Sequence, residues 1–256
     1  MKHPGYVVRR VPRHRQAVLD ALIRSTRRFP MHGLVELDVD RARSLIEGSA
    51  SRVTWTGFVI ATMGRAVARH PEVNARRAGK HVVFFSHVDM GATVERQAGS
   101  GVVLDVVTIR DADRKSCAEI TDELHRAKLA QAPPTRRTGP TAWVLRLPGP
   151  LRRNVFRLAG TRPRASASFG PAVGVTSLGM FARDGGWAIP VPPLTLIATV
   201  GGVVERPVVR DGEIVIRPLL PLTLSFDHGV IDGAPAARFV ETLRDLTETA
   251  AALETR

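Results

Sequence analysis

The chain has one cysteine, one tyrosine and 5% aromatic residues in 256 positions. No apolar run approaches the roughly 20 residues needed to cross a bilayer. A lone cysteine cannot close an internal disulfide, so Cys117 reads as a small packing residue. The opening Met1-Lys-His-Pro-Gly-Tyr6 lacks the apolar core of a secretory signal, and a cytoplasmic location is expected. There is no internal repeat and no metal site is expected. Acidic residues are scarce: 24 stand against 37 lysines and arginines, for a formal charge of +13.

What is present suits one domain over residues 1–256, since 44% hydrophobic content in a chain of this length can bury a substantial core. A helical pattern opens at Pro12 and carries Val18, Ala21, Leu22 and Ser25; another follows Thr56 with Phe58, Met63 and Val67. Ser116-Cys-Ala-Glu119 has the spacing of a capping box, and Ile120 and Leu124 mark the buried side of its helix. Strands are predicted over Val82–Phe85, Gly101–Ile109, Val173–Thr176 and Leu194–Val204. Pro207–Val209 is predicted to pair with Ile214–Ile216 across the hairpin signal Asp211-Gly212. The expected fold class is α/β, a two-layer sandwich of a mixed sheet covered by helices.

The basic excess is concentrated. Between Pro133 and Ser168 stand Arg136, Arg137, Arg146, Arg152, Arg153, Arg157, Arg162 and Arg164, with no acidic residue, so this stretch holds more than half of the net charge. Within it Leu147, Leu151, Val155 and Leu158 recur at helical spacing, which predicts a short amphipathic helix packed by its apolar stripe with the arginines in solvent. Such a surface suits an acidic partner, an anionic membrane surface or the phosphates of a nucleotide-bearing ligand. Nucleic acid is not expected, because only Trp143 and Phe156 offer stacking faces there.

The chemistry is carried by Pro221-Leu-Thr-Leu-Ser-Phe-Asp-His-Gly-Val-Ile-Asp-Gly-Ala-Pro-Ala-Ala-Arg-Phe239. Leu222, Leu224 and Phe226 alternate as a strand, His228 stands where the strand gives way to a turn, and Asp232-Gly233 ends that turn. Pro235 suits a first helical turn, and Phe239, Leu243 and Leu246 continue at helical spacing. A histidine projecting from such a corner suits a general base, since imidazole titrates near neutral pH.

This stretch resembles the His-x-x-x-Asp-Gly active-site motif of the dihydrolipoamide acyltransferases, the core enzymes of 2-oxoacid dehydrogenase complexes, and more distantly that of chloramphenicol acetyltransferase. The likeness continues in order along nearly the whole chain, through Arg15–Ser25 with Pro30 and Glu36–Asp40, Phe58–Pro71 with Asn74, Ile109–Ser116, Val173–Gly179 and Pro207–Gly212. It implies a chloramphenicol acetyltransferase-like fold and transfer of an acyl group from a thioester of coenzyme A or dihydrolipoamide to a thiol, hydroxyl or amine, with no tightly bound cofactor. His228 would be the base. Thr176 aligns with the family's oxyanion-stabilising hydroxyl, and Ser177 is the neighbouring alternative; adjacent strand residues face opposite sides, so only one should reach the site. Asp232 would pair with Arg15 and shape the histidine loop, Asp227 would hydrogen-bond locally, and Gly233 would support the turn. The histidine and hydroxyl would meet between subunits of a homotrimer. The ending Ala250-Ala-Ala-Leu-Glu-Thr-Arg256, with Leu253 its one large apolar residue, predicts assembly that stops at the trimer.

The chain departs from the family pattern in several places. Gly229 replaces the usual arginine after the histidine, Met31 and His32 follow Pro30 where the family has Pro-His, and Gly101–Val106 reads Gly-Val-Val-Leu-Asp-Val. The basic stretch at 133–168 is extra. Neither a lipoyl domain, a subunit-binding domain nor an Ala/Pro-rich linker is present in the sequence, so a separate lipoyl carrier is expected if lipoamide is the substrate. Two readings follow: a stand-alone acyltransferase, or a non-catalytic trimeric scaffold whose basic segment binds an acidic partner.

Overall fold

Pro30 opens an extended strand, β1 (Pro30–Asp38), and the elements after it are α1 (Asp40–Glu47), α2 (Trp55–Arg69), β2 (Ala75–Ala78), β3 (His81–Phe84), β4 (Met90–Ala98), β5 (Gly101–Ile109), α3 (Cys117–Leu129), α4 (Gly149–Thr161), α5 (Pro163–Ala167), β6 (Val173–Ser177), β7 (Leu196–Val200), β8 (Val204–Arg210), β9 (Glu213–Asp227), α6 (Gly233–Glu248) and α7 (Ala251–Glu254). The computed structural model describes residues 28–98, 101–130, 147–178, 185–191 and 194–254, together with 5, 11, 16, 19, 20, 22, 23, 25, 26 and 144. Gln16, Leu19, Asp20, Leu22, Ile23 and Ser25 are helical, in keeping with the pattern that opens at Pro12.

Seven strands form one mixed sheet, ordered β1-β9-β7-β6-β4-β5 with β8 also paired to β9. β6 runs parallel to both β4 and β7, and the remaining pairs are antiparallel. β2 and β3 make a separate hairpin. Helices cover one face, as the sequence pattern requires.

Local signals explain the boundaries. The Ser116 hydroxyl accepts from the Glu119 amide at 3.2 Å while the Glu119 carboxylate accepts from the Ser116 amide at 2.8 Å, so the capping box forms as expected. α2 starts a turn earlier than the pattern suggests, because Thr54 rather than Thr56 caps it, accepting from the Gly57 amide at 3.1 Å. Asp211 and Gly212 both take positive φ, 52° and 85°, the requirement of a two-residue hairpin turn between β8 and β9. The expected strand over Leu194–Val204 divides in two, with β7 ending at Val200 and Gly201 donating to the Pro221 carbonyl at 2.9 Å before β8 begins.

β9 shows how the sheet separates its two faces. Leu220, Leu222, Leu224 and Phe226 point to the helices and join Phe58 of α2 and Phe239, Leu243 and Leu246 of α6 in the core. Phe226 and Phe239 meet edge to face at 6.0 Å. Thr223, Ser225 and Asp227 alternate to the opposite face. That face, where Thr223, Ser225 and Asp227 are buried, also carries the exposed Leu34 of β1, the cross-strand neighbour of Thr223, and the exposed Leu104 and Val106 of β5.

The basic segment forms its helix, α4, with Arg153 and Arg157 in solvent as expected but Arg152 turned inward. Arg152 is buried, its Nε donating to Asp20 Oδ2 at 2.5 Å, whereas Leu151 and Leu158 are exposed. The physical reason is the ion pair. Leaving either charge buried alone costs more than exposing two leucines, so the pair rather than the apolar stripe sets the helix rotation. Arg157, Arg162 and Arg164 do lie in solvent, while Arg136, Arg137 and Arg146 fall outside the described residues. Among the described residues no helix is long and apolar enough to cross a membrane.

Candidate functional site

His228 is placed by a corner of backbone hydrogen bonds. Its amide donates to the Phe29 carbonyl at 2.7 Å, the Asp227 amide donates to Thr195 O at 2.8 Å, and the amides of Val230 and Ile231 both donate to Asp227 O. The turn therefore closes on Asp227. The Asp227 carboxylate is buried, paired through Oδ2 with Arg28 Nη1 and accepting the Gly229 amide at Oδ1 at 3.1 Å. Arg28 also reaches the Leu194 carbonyl at 3.4 Å.

Beyond this lock the imidazole side chain is 50% exposed, with Nδ1 3.5 Å from Asp232 Oδ1. That separation is at the outer limit of a directed hydrogen bond, and the Asp232 side chain is 85% exposed. Arg15, the expected partner of Asp232, falls outside the described residues. The arginine–aspartate pair that the described structure does place at the corner is Arg28–Asp227, one residue before the histidine. Gly233 opens α6 with nothing within 4 Å of a notional Cβ, so no packing demand at that position requires glycine.

The two candidate hydroxyls fall on opposite faces. Ser177 pairs with Val200, a core residue on the helix side, while Thr176 pairs with Thr199, which in turn pairs with Thr223. Thr176 therefore shares the face opposite the helices with Thr223, Ser225 and Asp227. Thr199 and Thr223 carry buried hydroxyls with no hydrogen-bond partner among the described residues. On the same face His32 Nδ1 and Ser225 Oγ lie 2.8 Å apart. Within one chain Thr176 and His228 are remote: five residues along β9 at ~3.4 Å each and two strand spacings of ~4.8 Å separate them by roughly 20 Å.

Two adjacent arginines of β2, not foreseen in the sequence, complete the surroundings. Arg76 is buried and donates to the carbonyls of Ser166 at 2.8 Å, Gly170 at 2.9 Å and Pro171 at 2.5 Å, which fixes the chain entering β6. Arg77 alternates outward, against the histidine loop: its Cζ lies 3.4 Å from the place a Cβ would occupy on Gly229. Only the Arg-Arg doublet itself could have drawn attention to them, because their partners are backbone atoms far away in sequence.

A cleft of about 330 Å³ opens elsewhere, lined by Asn74, Phe85, His87, Asp89, Arg110 and Pro171 among others, and it includes none of His228, Thr176 or Asp232.

Comparison with known proteins agrees with this architecture. The chain is 29% identical over 207 residues to the dihydrolipoyllysine-residue acetyltransferase component of the acetoin cleaving system of Bacillus subtilis, covering 81% of this chain and 44% of that protein. It spans about half the length of the curated relatives it matches. Among solved structures it superposes on the cubic core of a pyruvate dehydrogenase multienzyme complex with a TM-score of 0.69 at 22% identity, covering 98% and 96% of the two chains. Chloramphenicol acetyltransferase shares the fold at a TM-score of 0.53 and 14% identity, with 94% and 99% covered. The family of 2-oxoacid dehydrogenases acyltransferase catalytic domains matches residues 4–134 and 164–254, leaving out most of the basic segment. With its histidine corner and every strand of the mixed sheet inside that match, the chain belongs to the 2-oxoacid dehydrogenase acyltransferase catalytic-domain family.

Proposed function

We propose that the chain transfers acyl groups from a thioester of coenzyme A or dihydrolipoamide to a thiol, hydroxyl or amine, as a homotrimer whose sites lie between subunits. The observation that carries this reading is the histidine corner: a half-exposed imidazole held by a buried Asp227–Arg28 pair at the end of a central strand. Rigid support of an accessible ring is what proton transfer needs. Asp232 contacts Nδ1, leaving Nε2 to act.

With a thiol acceptor, Nε2 takes the acceptor proton, the thiolate adds to the thioester carbonyl, and the negative oxygen is met by the Thr176 hydroxyl of a neighbouring copy. Collapse expels the donor thiolate, which recovers the proton from the imidazolium. The separation of roughly 20 Å between His228 and Thr176 in one chain is the reason for assigning them to two copies. A closed cyclic trimer meets that need at every site. The uncovered Leu34, Leu104 and Val106, and the exposed Val209, Ile214 and Ile216 of the β8–β9 hairpin, are surfaces that a neighbour would cover. Lipoamide, if it is the substrate, would arrive on a carrier.

The test is thiol release by the purified protein from a panel of acyl-coenzyme A donors with small thiol acceptors, beside His228→Ala. A loss of about 10²–10⁴-fold in the variant is expected. Full activity in His228→Ala would overturn the assignment, and release of no thiol by either protein would leave the trimeric scaffold as the reading.

A further inference from the structure

Arg77 holds an exposed guanidinium beside the histidine loop. Among the described residues it makes no hydrogen bond or ion pair, and the nearest buried carboxylate, Asp227, is already engaged by Arg28 and by the Gly229 amide. The placement is fixed rather than incidental. Arg76, the preceding residue, is tied to three carbonyls, and the Thr195 hydroxyl donates to the Ala75 carbonyl at 2.5 Å while Thr195 O receives the Asp227 amide. β2 is thereby bonded to the same corner that carries His228. Gly229 marks how close the guanidinium comes to the loop: a Cβ there would touch Arg77 at ordinary van der Waals distance, 3.4 Å from Cζ and 3.5 Å from Nε, and would press only on Asp227 Oδ1 at 3.2 Å.

A planar guanidinium with free donors is suited to a carboxylate or phosphate. Distance selects between them. The phosphates of coenzyme A are separated from its sulfur by the long pantetheine arm, so an anion held next to the residue that follows the base belongs to the acyl chain. We propose that Arg77 is a specificity-determining residue that binds the free carboxylate of a dicarboxylic acyl group presented to His228 as a thioester. This rests on the acyltransferase reading above and adds the class of acyl group to it.

Succinyl-coenzyme A and butyryl-coenzyme A have four-carbon acyl chains and differ in the terminal carboxylate, so the ratio of their kcat/KM values reads the contact directly. Wild type should favour the succinyl donor. Arg77→Gln should lower the succinyl-to-butyryl ratio about 10- to 100-fold, chiefly through KM for the succinyl donor, and Arg77→Lys should recover part of it. An unchanged ratio in Arg77→Gln overturns the proposal, including the case in which both donors weaken equally because the arginine holds coenzyme A phosphates. Should wild type release thiol from neither donor, the acyltransferase reading fails separately. Calorimetric binding of succinate then decides for Arg77: weakening in Arg77→Gln supports it, and equal binding, or none to wild type, overturns it.

Discussion

Arg28 and Asp227 form a withdrawn ion pair directly beneath the histidine corner, with the Asp227 side chain 2% and the Arg28 side chain 19% exposed. Asp227 also receives the Gly229 amide, so one carboxylate ties the segment before β1 to the loop that carries His228. Removing one partner leaves the other charge buried alone. Arg28→Ala is expected to cost about 3–5 kcal/mol of stability and to reduce turnover with it. Chemical denaturation and thiol-release assays on the same preparation check this; unchanged stability would show that the pair does not hold the corner.

Thr176 and Ser177 are separated by the pleat, and substitution should separate them again. Thr176→Ala is expected to lower kcat by about 10²–10³-fold, the effect of losing one oxyanion donor, while Thr176→Ser keeps most of the rate. Ser177→Ala should change it little. The reverse order in steady-state kinetics would assign the hydroxyl to the helix-side face.

A site shared between copies predicts complementation. His228→Ala and Thr176→Ala proteins, each inactive alone, should regain part of the wild-type activity when unfolded together and refolded as mixed trimers. Light scattering coupled to size exclusion should give about three times the 27.8 kDa chain mass. Ile214→Asp with Ile216→Asp, on the exposed hairpin, should lower both mass and activity. An active monomer would sink the shared site.

The inward turn of Arg152 makes two arginines of α4 behave differently. Arg152→Ala is expected to destabilise the protein by about 3 kcal/mol, because Asp20 would remain buried with only the more distant Arg153, at 3.8 Å, as a partner, whereas Arg157→Ala should fall within about 0.5 kcal/mol of wild type. Thermal or urea unfolding of the two variants measures the contrast directly.

Cys117 is buried, donates its thiol to the Ala252 carbonyl at 3.2 Å and has its pKa pushed up to about 11, chiefly by burial, from an ordinary 9.0. The thiol should therefore resist alkylation at neutral pH until the protein unfolds. A raised folded-state pKa also means that stability is full below pH 9 and declines as pH rises toward 11, where only the unfolded chain readily ionises. Mass spectrometry after iodoacetamide treatment, with and without urea, tests the first statement. Comparison with Cys117→Ala across that pH range tests the second.

Features that depend on a few neighbouring residues were legible in the sequence. The capping box at Ser116, the turn at Asp211-Gly212, the strand ending at His228 and the mixed-sheet class follow from periodicity and turn chemistry, whose range is a handful of positions. Tertiary structure decided the rest, because the deciding partners are far away along the chain. Arg28 finds Asp227 and Arg152 finds Asp20 only after folding, and the second pairing turns inward an arginine that the local pattern placed in solvent. Strand pairing alone sets the face of Thr176 by lining it up with Thr199 and Thr223. Strand alternation puts one of Arg76 and Arg77 inside and the other out, but only the packing of β2 against the corner shows that the outward one stands beside Gly229, the residue after His228. A side chain's neighbours across a sheet are fixed by register, and register is a property of the whole fold rather than of any segment.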